Sequence, residues 1–362
     1  MIQRTTIRAG KPLAAVSTTC LRAWFRKSVL LGVALACSVL GRDEYSRMFD
    51  KTFTVQTAST VSIDHKFGDI AVSTHPERTV MIHAEIHASG RDREDAEQIA
   101  NRTAIETDTS AGVAIRTHYP EGFHNASYYV RYQLTIPEDS PLAVRSSFGS
   151  VSVTGLRADG DIRASHGAVA LRDGKGSQTI GNSFGAVEVT GNAGEVVITN
   201  TNGAVRVADC GPAVITNAFG AVLVKNAAGS VTVKSKNGSV NVSNSQGADV
   251  KMSFGAVILT GISGPVQVEN QYGAVELSGL KTGECQPVRI LTSYSPIRIR
   301  MNGSPNYRIS ARTSYSKIHT DFPLKISGSL SNDDVSGTIG NGGCEMNLNS
   351  SYGPIEILRS GS

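Results

Sequence analysis

From residue 146 onward the chain alternates apolar and polar positions in short runs that recur at a fixed interval. Residues 183 to 210, SFGAVEVTGNAGEVVITNTNGAVRVADC, carry the pattern twice: Phe-Gly-Ala-Val-x-Val, then Asn-Gly-Ala-Val-x-Val. The hallmark pair occurs at Phe148-Gly149, His166-Gly167, Phe184-Gly185, Asn202-Gly203, Phe219-Gly220, Asn237-Gly238, Phe254-Gly255 and Tyr272-Gly273. The spacings are 18, 18, 18, 17, 18, 17 and 18 residues. A fixed period in this range is the signature of a solenoid or array.

Each period holds two alternating runs. Val187 and Val189 are followed by a Gly-Asn turn and by Val196 and Ile198, and the later periods repeat this with Val205/Val207 and Ala213/Ile215, Val222/Val224 and Val231/Val233, and Val257/Leu259 and Val266/Val268. Period-two alternation of β-branched residues between Gly and Asn punctuation predicts short strands with one buried face. Such a unit cannot bury its apolar face alone. Stacked about 4.8 Å apart, successive units pair their backbones and merge their Val and Ile side chains into one core. The predicted fold is all-β: a β-solenoid with coils of 17 or 18 residues and two short strands per coil.

The hallmark glycine is expected at positive φ, where a Cβ is costly. Period-two counting points the residue before it inward or at a corner. A ladder of Phe184, Phe219, Phe254 and Tyr272 is expected to stack there, with Asn202 and Asn237 supplying turn-forming amides in alternate coils. Phe148 and Gly149, Phe184 and Gly185, Phe219 and Gly220, Phe254 and Gly255, and Tyr272 and Gly273 are thus assigned a structural role. Toward the C-terminus the repeat loosens into Tyr294-Ser295-Pro296-Ile297, Tyr315-Ser316-Lys317-Ile318 and Tyr352-Gly353-Pro354-Ile355. The insertions at 280–288 and 331–343 read as loops leaving the solenoid surface.

Residues 50–145 carry the hallmark once, at Phe67-Gly68, and read as an N-terminal strand-rich cap. Their one helix candidate is 91–105, acidic early and free of Gly and Pro. The solenoid follows over 146–360. The first 36 residues hold Arg4, Arg8, Lys11, Arg22, Arg26 and Lys27 and no acid, and an apolar run extends from Val29 to Leu40. A basic lead followed by a short apolar run and small residues predicts an export signal over 1–36, followed by a linker over 37–49. The run falls short of the ~20 residues that span a bilayer. Ala34-Leu35-Ala36-Cys37 resembles a lipobox with Ala at its first position, so Cys37 is a candidate lipid attachment site, beside plain cleavage and an uncleaved anchor.

Charge changes the picture only through that segment. The whole chain has 35 basic and 31 acidic residues, but without the six basic residues of the leader 29 basic face 31 acidic groups, a net of −2. Nucleic-acid binding, which needs clustered Lys and Arg, is not indicated. Beyond the leader, Cys210, Cys285 and Cys344 are an odd number without a Cys-x-x-Cys. They read as neither a disulfide framework nor a zinc site, with Cys210 a small semi-buried residue; whether any pair bonds is left open.

Sites for chemistry are sparse. The outward residues between paired valines run Glu188, Arg206, Leu223, Asn241, Ile258 and Glu276, without the cluster of Asp, Glu, Arg or Lys on one face that a β-helix enzyme acting on polysaccharide needs. A flat Thr ladder of the ice-binding kind fails because Thr199 and Thr216 give way to Lys234, Lys251 and Glu269. His83 and His87, four apart on an extended strand, stand about 13 Å from each other, too far to share a metal. Residues 173–177, DGKGS, lack the spacing of a phosphate loop and read as a solenoid turn.

The order of elements, from a signal through FGDIAV, a short helix, a strand ending in Thr135-Ile136-Pro137 and SSFGSVSVTG to GGCEMNLNSSYGPIEI, resembles the bacterial adhesin family with β-strand repeats, a domain of unknown function. The resemblance spans roughly 50–358. It implies a right-handed β-helix-like envelope protein and brings no catalytic, metal or cofactor residue. The chain departs from the pattern at His166, Asn202 and Asn237, where aromatics alternate, and at Ser295 and Ser316, where Gly is usual. The expectation is a non-enzymatic exported envelope scaffold without a cofactor, contacting an envelope protein or glycan. The alternatives are an envelope-stress accessory that binds a membrane partner and a degenerate carbohydrate-active β-helix.

Overall fold

The protein is described here as a computed structural model, with residues 43–360 placed apart from 57, 123–125 and 281–284. The export signal, Cys37 and the start of the expected linker lie outside the described residues.

Alternation of Val and Ile with polar residues produces two strands per coil. In Val196–Asn202 and Val205–Cys210 the side chains of Val196, Ile198, Val205 and Val207 are buried, while Thr199 and Arg206 face outward. The first strand of each coil joins one sheet and the second joins another. Among the described residues these sheets have 16 and 15 strands. Neighbouring coils pair in parallel and in register: Val196 lies opposite Ala213, Ile198 opposite Ile215 and Val205 opposite Val222. Identical positions therefore stack, and the core is one column of Val, Ile and Leu between the sheets.

Both ends are finished by antiparallel strands, which close a core that parallel stacking would leave open. Val61–Phe67 and Ile70–His75 form the first coil and pair with Leu142–Phe148 and Val151–Thr154. The intervening chain folds back as Thr79–Gly90 and Ser127–Pro137, an antiparallel pair. Residues 43–49, expected as linker, belong instead to the strand Asp43–Thr54, which pairs with Thr79–Gly90 along its whole length. Tyr45, Phe49 and Phe53 pack against the core from that strand, and so drive the pairing. The helix spans Arg93–Arg102, shorter than expected because Asp92 caps it by accepting from the Asp95 N–H at 2.8 Å and Thr103 ends it in extended backbone. Glu94 and Asp95 face the positive end of its dipole, and Ala96, Ile99 and Ala100 bury its apolar side.

At the C-terminus the spatial order departs from the chain order. Cys344–Ser350 lies between Val288–Thr292 and Tyr307–Thr313, and Ile355–Arg359 lies between Ile297–Met301 and Ile318–Thr320. The last coil thus fills a gap between two earlier ones. The segment 331–343 is not a surface loop: it contains Asp334–Ile339, which pairs antiparallel with Tyr307–Thr313 and with Lys325–Leu330 and caps the 16-stranded sheet. Cys285 and Cys344 are joined by a disulfide that closes 59 residues, so two of the three cysteines do form a bridge. Their separation in sequence hid this, because only the inserted last coil brings Cys344 beside Cys285. Cys210 is buried and free.

Candidate functional site

The hallmark residues occupy one corner of the solenoid. Strand register places Phe67, Phe148, His166, Phe184, Asn202, Phe219, Asn237, Phe254 and Tyr272 opposite one another. Ring stacking extends the column through Tyr294, Tyr352 and Tyr315, in that order. The side chains do not point inward: Phe148, Phe184, Phe219, Phe254 and Tyr272 are 43 to 50% exposed. Chain bending at the corner breaks the period-two alternation that would have buried them. Phe184, Phe219 and Phe254 do not stack on one another, since Asn202 and Asn237 stand between them.

Two separate stacks result. Phe67, Phe148, His166 and Phe184 lie 4.8 to 5.4 Å apart between ring centres, and Phe254, Tyr272, Tyr294, Tyr352 and Tyr315 lie 4.9 to 5.0 Å apart. Near-parallel planes cover most ring faces with the next ring and leave edges to solvent. Sugar or base stacking needs an open face, so these columns serve coil registration. Gly149, Gly185, Gly220, Gly255 and Gly273 follow them at φ between +122° and +137°.

The turn-forming amides are not those of Asn202 and Asn237. They come from Asn182, Asn200, Asn217 and Asn270, all buried two residues before a hallmark residue. Each side chain donates to the carbonyl of the glycine three residues on, as Asn217 does to Gly220 at 3.0 Å. Asn182, Asn217 and Asn270 also reach the glycine carbonyl of the preceding coil. A buried side chain at this step in the alternation was legible in the sequence as an Asn recurring at the fifth strand position.

Two outward faces remain. On the 15-stranded sheet the register stacks Glu188, Arg206, Leu223, Asn241, Ile258 and Glu276 as expected and continues into Arg298 and Glu356. Arg298 pairs with Glu356 at 2.7 Å and with Glu276 at 3.7 Å, and Arg300 also reaches Glu276 at 3.6 Å, so two cations offset the two acids. On the 16-stranded sheet Thr199, Thr216, Lys234, Lys251 and Glu269 stack in one column that continues through Leu291 to Asn349 and Arg312. With Thr201, Lys236, Ser253 and Gln271, two residues further along the same strands, they wall a groove of about 620 Å3. A second depression of about 500 Å3 shares Thr199 and Thr201 and continues it to Arg163, Arg145 and Asp64.

The remaining clusters are structural in their surroundings. His65 is 2% exposed, with Nδ1 3.1 Å from Thr117 Oγ1 and its ring edge-on to Tyr132. Burial lowers its pKa to about 4 and pushes the Tyr132 phenol up to about 12. This network ties the cap to the first coil and has no access for a substrate. His83 pairs with Asp50 and His87 stacks on Tyr129, so each is held by its own partner. Burial pushes the Cys210 thiol up to about 11, which leaves it unreactive. DGKGS forms the turn between Val169–Arg172 and Gln178–Phe184. No helix among the described residues is long and apolar enough to cross a membrane.

Among solved structures the chain is similar to a putative cell adhesion protein from Clostridium sporogenes, at 10% identity and a TM-score of 0.23 over 87% of this chain and 100% of that one. It is also similar to a putative adhesin from Bacteroides fragilis, at 10% identity and a TM-score of 0.28 over 86% and 97% of the two chains. A putative adhesin from Parabacteroides distasonis gives 10% identity and a TM-score of 0.25 over 86% and 97%. No curated protein matches. Residues 59–358, from the start of the first coil to the last strand, match the Toastrack DUF4097 family, and the chain belongs to it.

Proposed function

We propose that this protein is a non-enzymatic scaffold of the cell envelope, exported from the cytoplasm, whose solenoid presents a long rigid face to another envelope component. The observation that carries the reading is the groove along the 16-stranded sheet, running from Asp64 to Leu291 over successive coils held in register. Parallel stacking fixes the walls on both sides, so the face is preorganised for an extended partner. Its polar side chains are spread along the axis and do not converge on a point, which suits contact and not bond cleavage.

Export is supported by the basic leader with its apolar run and by the Cys285–Cys344 disulfide, a bond that persists in oxidising compartments. The test is fractionation of cells expressing the wild type and Cys37→Ala, with mass spectrometry of the mature N-terminus and of the disulfide. The expected result is an oxidised chain outside the cytoplasm. A diacylglycerol mass on Cys37 that disappears in the variant identifies the anchor, and an unmodified shortened chain identifies plain cleavage. A reduced, full-length cytoplasmic chain overturns the export reading, and hydrolysis of a cell-wall polysaccharide by the purified protein overturns the non-enzymatic one.

A further inference from the structure

The groove on the 16-stranded sheet has a charge that the rest of the molecule does not share. Beyond the leader the chain is net negative, yet the groove walls carry Arg145, Arg163, Lys234, Lys236 and Lys251 against Asp64 and Glu269. Part of this is compensated: Lys251 pairs with Glu269 at 3.3 Å and Arg163 with Asp161 at 3.1 Å. Lys234 and Lys236 make no ion pair among the described residues, and both are exposed on one strand, two positions apart. Two unneutralised cations two positions apart on one strand would repel each other without a ligand to offset them.

We infer that this groove binds an extended anionic polysaccharide, with Lys234 and Lys236 meeting its carboxylate or phosphate groups. The inference rests on the envelope-scaffold reading and adds the class of ligand. Hydroxyl and amide side chains flank the lysines on both sides, with Thr199, Thr201 and Thr216 toward one end and Ser253, Gln271 and Ser293 toward the other. Each can donate and accept, as a chain of sugar hydroxyls requires. The rungs repeat about every 4.8 Å, commensurate with one sugar of an extended glycan, so successive sugars meet successive rungs.

Other extended polyanions fit less well. A peptide strand cannot add to this face, because the backbone groups are already paired between coils and strand addition needs a free edge. Apart from Ala218, Met252 and Leu291, every side chain that lines the groove is a hydroxyl, an amide or a charged group, so few contacts suit apolar peptide side chains. Single-stranded nucleic acid uses aromatic faces, and at the neighbouring corner Phe254, Tyr272 and Tyr294 stack on each other while Phe219 stands between Asn202 and Asn237.

The test is native affinity electrophoresis of the full-length protein in gels containing polygalacturonate, neutral dextran, polyglutamate or single-stranded DNA. Two exposed charge contacts together are worth about tenfold in affinity. The expected result is salt-sensitive retardation by polygalacturonate and none by dextran, weakened about tenfold in Lys234→Ser/Lys236→Ser. Arg206→Ser/Lys225→Ser, which removes the same charge from the 15-stranded sheet, should behave as wild type. Both pairs are exposed, and far-UV circular dichroism checks that each variant folds. Equal loss in the two variants, absence of retardation by polygalacturonate, or equal groove-dependent retardation by polyglutamate or DNA would each overturn the inference. An oxidised, exported protein that fails this test leaves the scaffold reading intact, because fractionation reports on that separately.

Discussion

Replacing Gly203 by alanine probes the mechanism that makes the coils repeat. Gly203 has φ of +135°, and a Cβ built there would lie 2.1 Å from the carbonyl oxygen and 2.6 Å from the carbonyl carbon of Gly185 in the preceding coil. Holding a residue with a Cβ in this region costs about 1–3 kcal/mol. Relieving the overlap costs about 1–3 kcal/mol more, because the atoms that must move are backbone already held between coils. The Gly185 carbonyl also accepts from Asn182 at 3.2 Å, and shifting it strains that bond. The expected loss is about 4 kcal/mol. Gly181→Ala is the matched comparison: its Cβ would meet only Arg163 Cγ at 4.0 Å, within the strand Gln178–Phe184. It should be neutral or stabilising by about 0.5 kcal/mol, since alanine restricts the unfolded chain. Equilibrium urea unfolding of both variants gives the difference, and hydrogen exchange over Val196–Asn202 shows whether the loss is local to the coil. A Gly203→Ala variant within about 1 kcal/mol of Gly181→Ala would refute the argument that close coil approach requires glycine here.

Three further outcomes follow from the same structure. His65 has a folded pKa of about 4 against an ordinary 6.5, so below pH 6.5 the unfolded chain takes up a proton that the folded chain refuses. Its contribution to stability is complete above pH 6.5 and falls by about 3 kcal/mol as pH drops to 4. Unfolding curves at pH 7 and pH 4 should show that component in the wild type and not in His65→Gln. Reducing Cys285–Cys344, or replacing it with Ser and Ala, frees a 59-residue loop and should cost about 4 kcal/mol by chain entropy; unfolding with and without reductant measures it, and a loss near zero would show that the loop is held by its strands alone. Asn217→Leu removes bonds to Gly203 and Gly220 and the acceptor for Asn200, an expected loss of about 2 kcal/mol that differential scanning calorimetry would register.

Much of the fold was legible because stacking imposes one rule on every coil. Val187, Val205 and Val222 sit at one step of the period, and the structure places them in one buried column. The outward series on each sheet followed from the same alternation. The corner did not, because alternation assumes a straight strand and the chain bends between Asn200 and Gly203. There Asn200 turns inward while Asn202 joins the partly exposed column, and counting by two loses its phase.

The sequence alone determined the period, the two strands per coil, the buried Val and Ile positions and the need for glycine at the corner, since these depend on contacts that repeat with chain distance. Tertiary structure alone decided the rest. It set Tyr352 between Tyr294 and Tyr315, paired Cys285 with Cys344, and added Asp43–Thr54 as an edge strand. It also assembled the basic groove from Arg145 to Lys251 across coils. Those features depend on which coil lies beside which, and at the ends of the solenoid neighbours in space are not neighbours in the chain.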